Sequence, residues 1–169
     1  MAKSDVNRVT EETIARGGVL VKMYFDMRHT EREKLQPLMA DLINERLVKE
    51  RGVVYCYGAI EEPIGRDGVF ITSAILTLLV DSFPPLVDIA FRYAPAGIEI
   101  LKPASEMLLK TAQLQSVLMN LSDVSMTYSR YIMENVLKPE EIENFKAHVE
   151  DRAAIGKKIL DSSKKEEKK

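Results

Sequence analysis

The sequence predicts an α+β fold: four strands and two helices in the order β-α-β-β-α-β across residues 18–103, followed by an antiparallel α-helical hairpin. Three observations carry this. Residues 18–28 alternate, with Val19, Val21, Met23, Phe25 and Met27 on one side and Leu20, Lys22, Tyr24, Asp26 and Arg28 on the other. A period of two marks a strand with one apolar face. Two further apolar runs, residues 53–60 and 69–80, flank a turn-forming segment that contains Pro63, Gly65 and Gly68. Beyond Pro103 the apolar residues recur every three to four positions, the helical period.

Taken in order, residues 1–17 are polar and weakly patterned, a flexible segment with a turn or two of helix over 10–16, closed by Gly17 and Gly18. After the first strand, Thr30 and Glu33 have the spacing of a capping box, in which each side chain bonds the other's amide. Leu35, Leu38, Met39, Leu42, Ile43, Leu47 and Val48 then give a helix its apolar face, interrupted by Pro37 and stopped at Gly52. The run at 69–80 is the most apolar and is expected at the centre of the sheet. Asp81 and Ser82 precede a short helix opened by Phe83-Pro84-Pro85, since prolines cost nothing in a first turn, and ended near Tyr93. A last strand covers 98–102. This order resembles the split βαβ, or ferredoxin-like, sandwich. The resemblance implies strands one and three side by side at the centre and both helices on one face. It is a resemblance of fold and carries no residue-level function.

The C-terminal part reads as helical. Ser105 is placed to cap a helix over 106–137, and Leu114, Val117, Leu121, Val124, Tyr128 and Tyr131 repeat at 3–4–3–4–3 spacing, an a/d-like seam flanked by Leu118 and Ile132. Lys138-Pro139 breaks it, and a second helix with Ile142, Phe145, Val149 and Ile159 on its apolar face completes the hairpin. The organisation expected is thus a flexible segment at 1–17, a ferredoxin-like domain at 18–103, a helical hairpin at 104–161 and a disordered charged tail at 162–169. The two helices would span roughly 48 and 33 Å against strands of roughly 20 Å. The first therefore overhangs a small sheet, and its seam suits packing against a second chain.

Composition narrows the classes. With 46% hydrophobic residues in 169 the chain can bury a core, and a net charge of −2 argues against general nucleic-acid binding. The single cysteine, Cys56, forms no internal disulfide and reads as a buried inert thiol in a strand, which fits a reducing, cytoplasmic compartment. No run is apolar and long enough to span a membrane, and the N-terminus lacks the apolar stretch of a signal peptide. No motif specifies a cofactor, and no spaced His or Cys pair specifies a metal.

Three groups of residues are candidates for function. Lys22, Tyr24, Arg28, Tyr55 and Tyr57 share the open sheet face, a layout of rings and cations on which single-stranded RNA stacks; the plainer reading is that the tyrosines pack under another element. Parallel central strands would bring Asp26 and His29 to Asp81 at one end of the sheet, a set able to bind a divalent ion or exchange protons; the plainer reading is capping and loop residues. The seam from Leu114 to Tyr131 is the candidate oligomer interface. Two loops are unusual: 61–68, with Glu61, Glu62, Arg66 and Asp67, and 93–97, with Pro95 and Gly97. A small-molecule ligand at the latter is an analogy with ligand-sensing modules of this fold. The leading expectation is a non-catalytic, self-associating scaffold or regulatory, ligand-sensing protein acting as a homo-oligomer. RNA binding comes second, and a small enzyme or metal protein third.

Overall fold

The computed structural model describes residues 5–66, 68–136 and Glu143, with only the backbone of Arg66 and Glu134. The expected second hairpin helix after Pro139, the charged tail and Asp67 lie outside the described residues. The chain divides into two compact units, Met1–Leu121 and Ser122–Lys169. The first holds the sheet.

The fold is α+β, with a five-stranded antiparallel sheet and, among the described residues, four α-helices. In chain order these are α1 (Asp5–Ala15), β1 (Val19–His29), α2 (Arg32–Asp41), β2 (Val53–Ile60), β3 (Ile64–Arg66), β4 (Val69–Val80), α3 (Phe83–Tyr93), β5 (Gly97–Lys102) and α4 (Thr111–Asn135). The strand order is β2-β4-β1-β5, and the short β3 pairs the start of β4. The central pair runs antiparallel, from Val19 opposite Val80 to His29 opposite Phe70.

The alternation of β1 is what builds the core. Val19, Val21, Met23 and Phe25 are buried on one face, beside Ala74, Leu76, Leu78 and Val80 of β4. Met39, Ile43 and Leu47 cover this layer from one helical segment, and Leu86 and Ile89 of α3 from the other. Each fully buried side chain of this size contributes about 1.5–3 kcal/mol, largely offset by the entropy of ordering the chain.

Three local features differ from the sequence reading. The N-terminal segment carries an eleven-residue helix, α1, with Thr10 and Thr13 buried. The chain turns from α1 into β1 at Gly18, whose amide donates to the Thr13 carbonyl at 2.9 Å. A Cβ there would lie 2.7 Å from the Val80 carbonyl oxygen, so only glycine fits. The capping box at Thr30 does not form. The N-cap is Glu31, without a side-chain cap bond, and its amide donates to His29 Nδ1 at 2.8 Å. Finally, α4 begins at Thr111 rather than after Ser105, and its first turn is closed by the Lys110 amide donating to Gln113 Oε1 at 2.9 Å.

The most consequential difference follows α2. Pro37 is accommodated inside that helix, but at Leu42–Arg46 the chain widens into a π turn and then tightens into a 3-10 turn at Leu47–Lys49. The reason is readable in the burial pattern. Leu35, Met39, Ile43 and Leu47 are all buried at a strict spacing of four. In a helix of 3.6 residues per turn each such step overshoots by about 40°, and three steps drift by about 120°. One wider turn returns Leu47 to the core.

Candidate functional site

The open face of the sheet can be written as rows from the strand register. Tyr57, Thr77, Lys22 and Glu99 form one row, and Ala59, Ile75, Tyr24 and Gly97 the next. The structure thus brings Lys22, Tyr24 and Tyr57 onto one surface. Tyr55 stands beside Tyr57, ring centres 5.8 Å apart and planes tilted by 30°. Tyr55 is not free to stack on a base, however, because α1 lies across that end of the sheet. Thr10 Oγ1 and the Tyr55 hydroxyl are 2.8 Å apart. Glu99 occupies the cations' side of the face, 4.0 Å from Lys22 Nζ and accepting from the Tyr24 hydroxyl at 3.5 Å. Arg28 is exposed farther along β1, beyond Asp26, which accepts a hydrogen bond from Ser73 at 2.7 Å. Of the three tyrosines of this face, Tyr57 is the exposed one, at 58%, with its ring beside that of Tyr55.

The proposed strand-end cluster is not assembled. Because β1 and β4 are antiparallel, Asp26 and His29 lie at one end of the central pair and Asp81 follows Val80 at the other. Ten residues of strand separate the ends, about 33 Å. His29 Nδ1 is held by the Glu31 amide, and the Asp81 carboxylate accepts from Ser82 at 2.7 Å. Among the described residues no three His, Cys, Asp or Glu side chains are placed to hold a metal ion.

Among the described residues, the apolar seam of α4 is largely exposed. Leu114, Leu121, Tyr128 and Tyr131 are exposed, while Val117 and Val124 are half-buried. Within the first unit, Asn120 donates to Asp88 of α3 at 2.6 Å, which fixes the side of the helix that meets its own domain. At about 100° per residue, Leu114, Leu118, Leu121, Tyr128 and Ile132 fall within about 80° of one another. All five are exposed, and Asp123 and Arg130 lie on the opposite side.

The loop at 93–97 closes onto β1. Ala94 caps α3 in the left-handed region at φ 42°, and the Ala96 amide donates to the Tyr24 carbonyl at 2.7 Å. Cys56 is half-buried, and burial pushes its thiol up to about 11, which leaves it protonated and unreactive at neutral pH.

A polar arrangement that sequence reasoning missed sits between the π turn and the end of α3. The Glu50 carboxylate receives Arg92 Nη1 at 2.8 and 3.0 Å and the Tyr93 hydroxyl at 2.7 Å. Burial, and then the bond to Glu50, push the Tyr93 phenol up to about 12. Lys49 pairs with Glu45 one turn away. These groups line a cavity of about 520 Å3 that also includes Leu42 and Arg46. A second cavity of about 260 Å3 shares Leu42 and Arg46 and adds Met27, Leu38 and Asp41. No sequence pattern marks this arrangement, because the apolar residues of 35–48 recur at ordinary helical spacing and the strict four-residue set stands out only in the burial.

Residues 20–158 match the MJ0538 family, and the chain belongs to it. The family description names no reaction, ligand or partner. No curated protein and no solved structure gives a significant match.

Proposed function

We propose that this member of the MJ0538 family is a non-catalytic, self-associating module in which α4 pairs with a second copy of itself. The observation that carries the reading is the exposed apolar stripe of α4. Leu114, Leu118, Leu121, Tyr128 and Ile132 recur at a spacing that a coiled-coil partner fills, with Ser125 completing the 4–3–4–3–4 rhythm. An exposed run of this length on a helix with its charges on the far side is uncommon on a monomer's surface. The seam lies one step round the helix from the one read in the sequence, because Val117 and Asn120 face the chain's own domain. The strand order β2-β4-β1-β5 supports a ferredoxin-like reading of the sheet domain. In that reading the domain is a platform and α4 its means of assembly, with a cytoplasmic scaffold or regulatory role.

The test is the solution mass of the full chain by light scattering on a sizing column. A multiple of 19.1 kDa is expected for the native chain, and the monomer mass for the Leu118→Glu, Leu121→Glu double variant, with an unchanged circular dichroism spectrum. A native chain that runs as a monomer at micromolar concentration would sink the proposal. RNA binding on the tyrosine face is the weaker reading. Thr10 occupies Tyr55, Glu99 answers Lys22, and a single exposed ring is a small stacking platform.

A further inference from the structure

The cavity of about 260 Å3 beside the π turn has an unusual lining: one carboxylate, Asp41, one guanidinium, Arg46, and three apolar side chains, Met27, Leu38 and Leu42. Asp41 and Arg46 are five residues apart. In a regular α-helix that spacing puts them about 140° apart, on different sides. A π turn, in which the bond runs from residue i to i+5, swings the fifth residue round to stand nearly over the first. The π turn over Leu42–Arg46 is therefore what brings an acid and a base to one pocket. Arg46 itself leaves helical geometry, at φ −122° and ψ −67°.

Neither charge is answered by a salt bridge within the described residues, either to the other or to a neighbour. The surrounding charges are already committed. Lys49 is bound to Glu45, and Arg92 to Glu50. Arg46 is thus the uncommitted cation of the larger cavity as well as of the smaller one. The volume lies below the 300–1,000 Å3 of pockets for drug-sized ligands and suits a small molecule.

We propose that this cavity binds a small apolar α-amino acid, its carboxylate on Arg46, its ammonium on Asp41 and its side chain against Met27, Leu38 and Leu42. A zwitterion matches a pocket that presents one charge of each sign with no salt bridge between them. The apolar part of the lining favours a side chain without a further charge. The inference does not rest on self-association, since every residue it uses lies in the first unit.

The test is calorimetric titration of the full chain with L-leucine. Saturable binding of one leucine per chain is expected, weakened at least about tenfold in Arg46→Gln and in Asp41→Asn, the loss of one charge-assisted contact. Both positions are exposed, and an unchanged circular dichroism spectrum confirms that the variants fold. The analogues that lack one charge, 4-methylpentanoate and 3-methylbutylamine, should bind at least about tenfold more weakly than leucine by the same reasoning. The Leu118→Glu, Leu121→Glu variant should bind leucine as the native chain does, which separates this site from the assembly surface. Absence of any saturable heat with L-leucine, L-valine and L-methionine up to about 10 mM, an affinity too weak to use, would overturn the proposal. Undiminished binding in both charge variants, or an analogue that binds as tightly as leucine, would overturn it too.

Discussion

Glu50 shows how a single side chain can join elements that share no sequence signal. It sits just after the 3-10 turn and accepts bonds from Arg92 and Tyr93, 42 and 43 residues on. Replacing it with Gln keeps the size but removes the charge. We expect a loss of about 1–2 kcal/mol, at the lower part of the range for bonds to charged groups because Arg92 is largely exposed, read as a lowered Tm. The same variant should let the Tyr93 phenol fall back from about 12 towards its ordinary value of 10, read by ultraviolet titration of tyrosinate. The direction of the pH effect follows from the raised value. The folded state holds the Tyr93 proton more tightly than the unfolded state. Its contribution is complete below pH 10 and is lost as the pH rises through about 12. At this scale the sequence was legible where neighbours along the chain decide the outcome. Alternation correctly put Lys22 and Tyr24 on one face. It said nothing of Glu99, which meets both from another strand.

Among the elements, those set by local periodicity were the legible ones. Alternation and apolar runs located β1, β2 and β4, and the prolines of Phe83-Pro84-Pro85 marked the start of α3. What alternation does not contain is direction. The central strands were read as parallel and are antiparallel, and this alone dissolves the grouping of Asp26, His29 and Asp81. The π turn was hidden for a different reason. A helix that carries one extra residue still shows apolar residues every three to four positions, so its period looks ordinary. Deleting Asn44, which is exposed within the turn, should restore α geometry. Asp41 and Arg46 would then be four apart and pair with each other. The expected outcome is a Tm within about 5 °C of the native chain, a change of roughly 1 kcal/mol, together with loss of leucine binding. Retention of native affinity would show that the wide turn plays no part in the pocket.

For the whole molecule, the distinction that matters is between assembly by apolar contact and recognition by charge. The proposed pairing through Leu114, Leu118, Leu121, Tyr128 and Ile132 would involve little charge. The mass of the assembly should hold steady between about 50 and about 500 mM salt, over which the Debye length shrinks several-fold. Binding of a nucleic acid to Lys22 and Arg28 would instead weaken steeply over that range. Sedimentation across a salt series reads the first, and fluorescence anisotropy with a labelled single-stranded RNA reads the second. That this helix carries apolar residues every three to four positions could be read from the sequence, because it is a property of one helix. Which residues of it face outward could not. That depends on Asn120 meeting Asp88, a contact between two helices 32 positions apart.

The antiparallel centre of the sheet has a consequence for how the chain comes to be folded. β1 is the first strand to be synthesised, yet its partners are β4, 41 to 61 residues later by the register from His29–Phe70 to Val19–Val80, and β5, later still. Closing a loop of that length must precede any reward from the pairing, whereas β2 and β4 meet across a short connection and can form first. An apolar, alternating segment therefore waits without a neighbour while most of its domain is still being made. During that interval it has the pattern that chaperones engage and that stray strands aggregate with. A strand that lines the core of the finished protein is its most vulnerable one during birth.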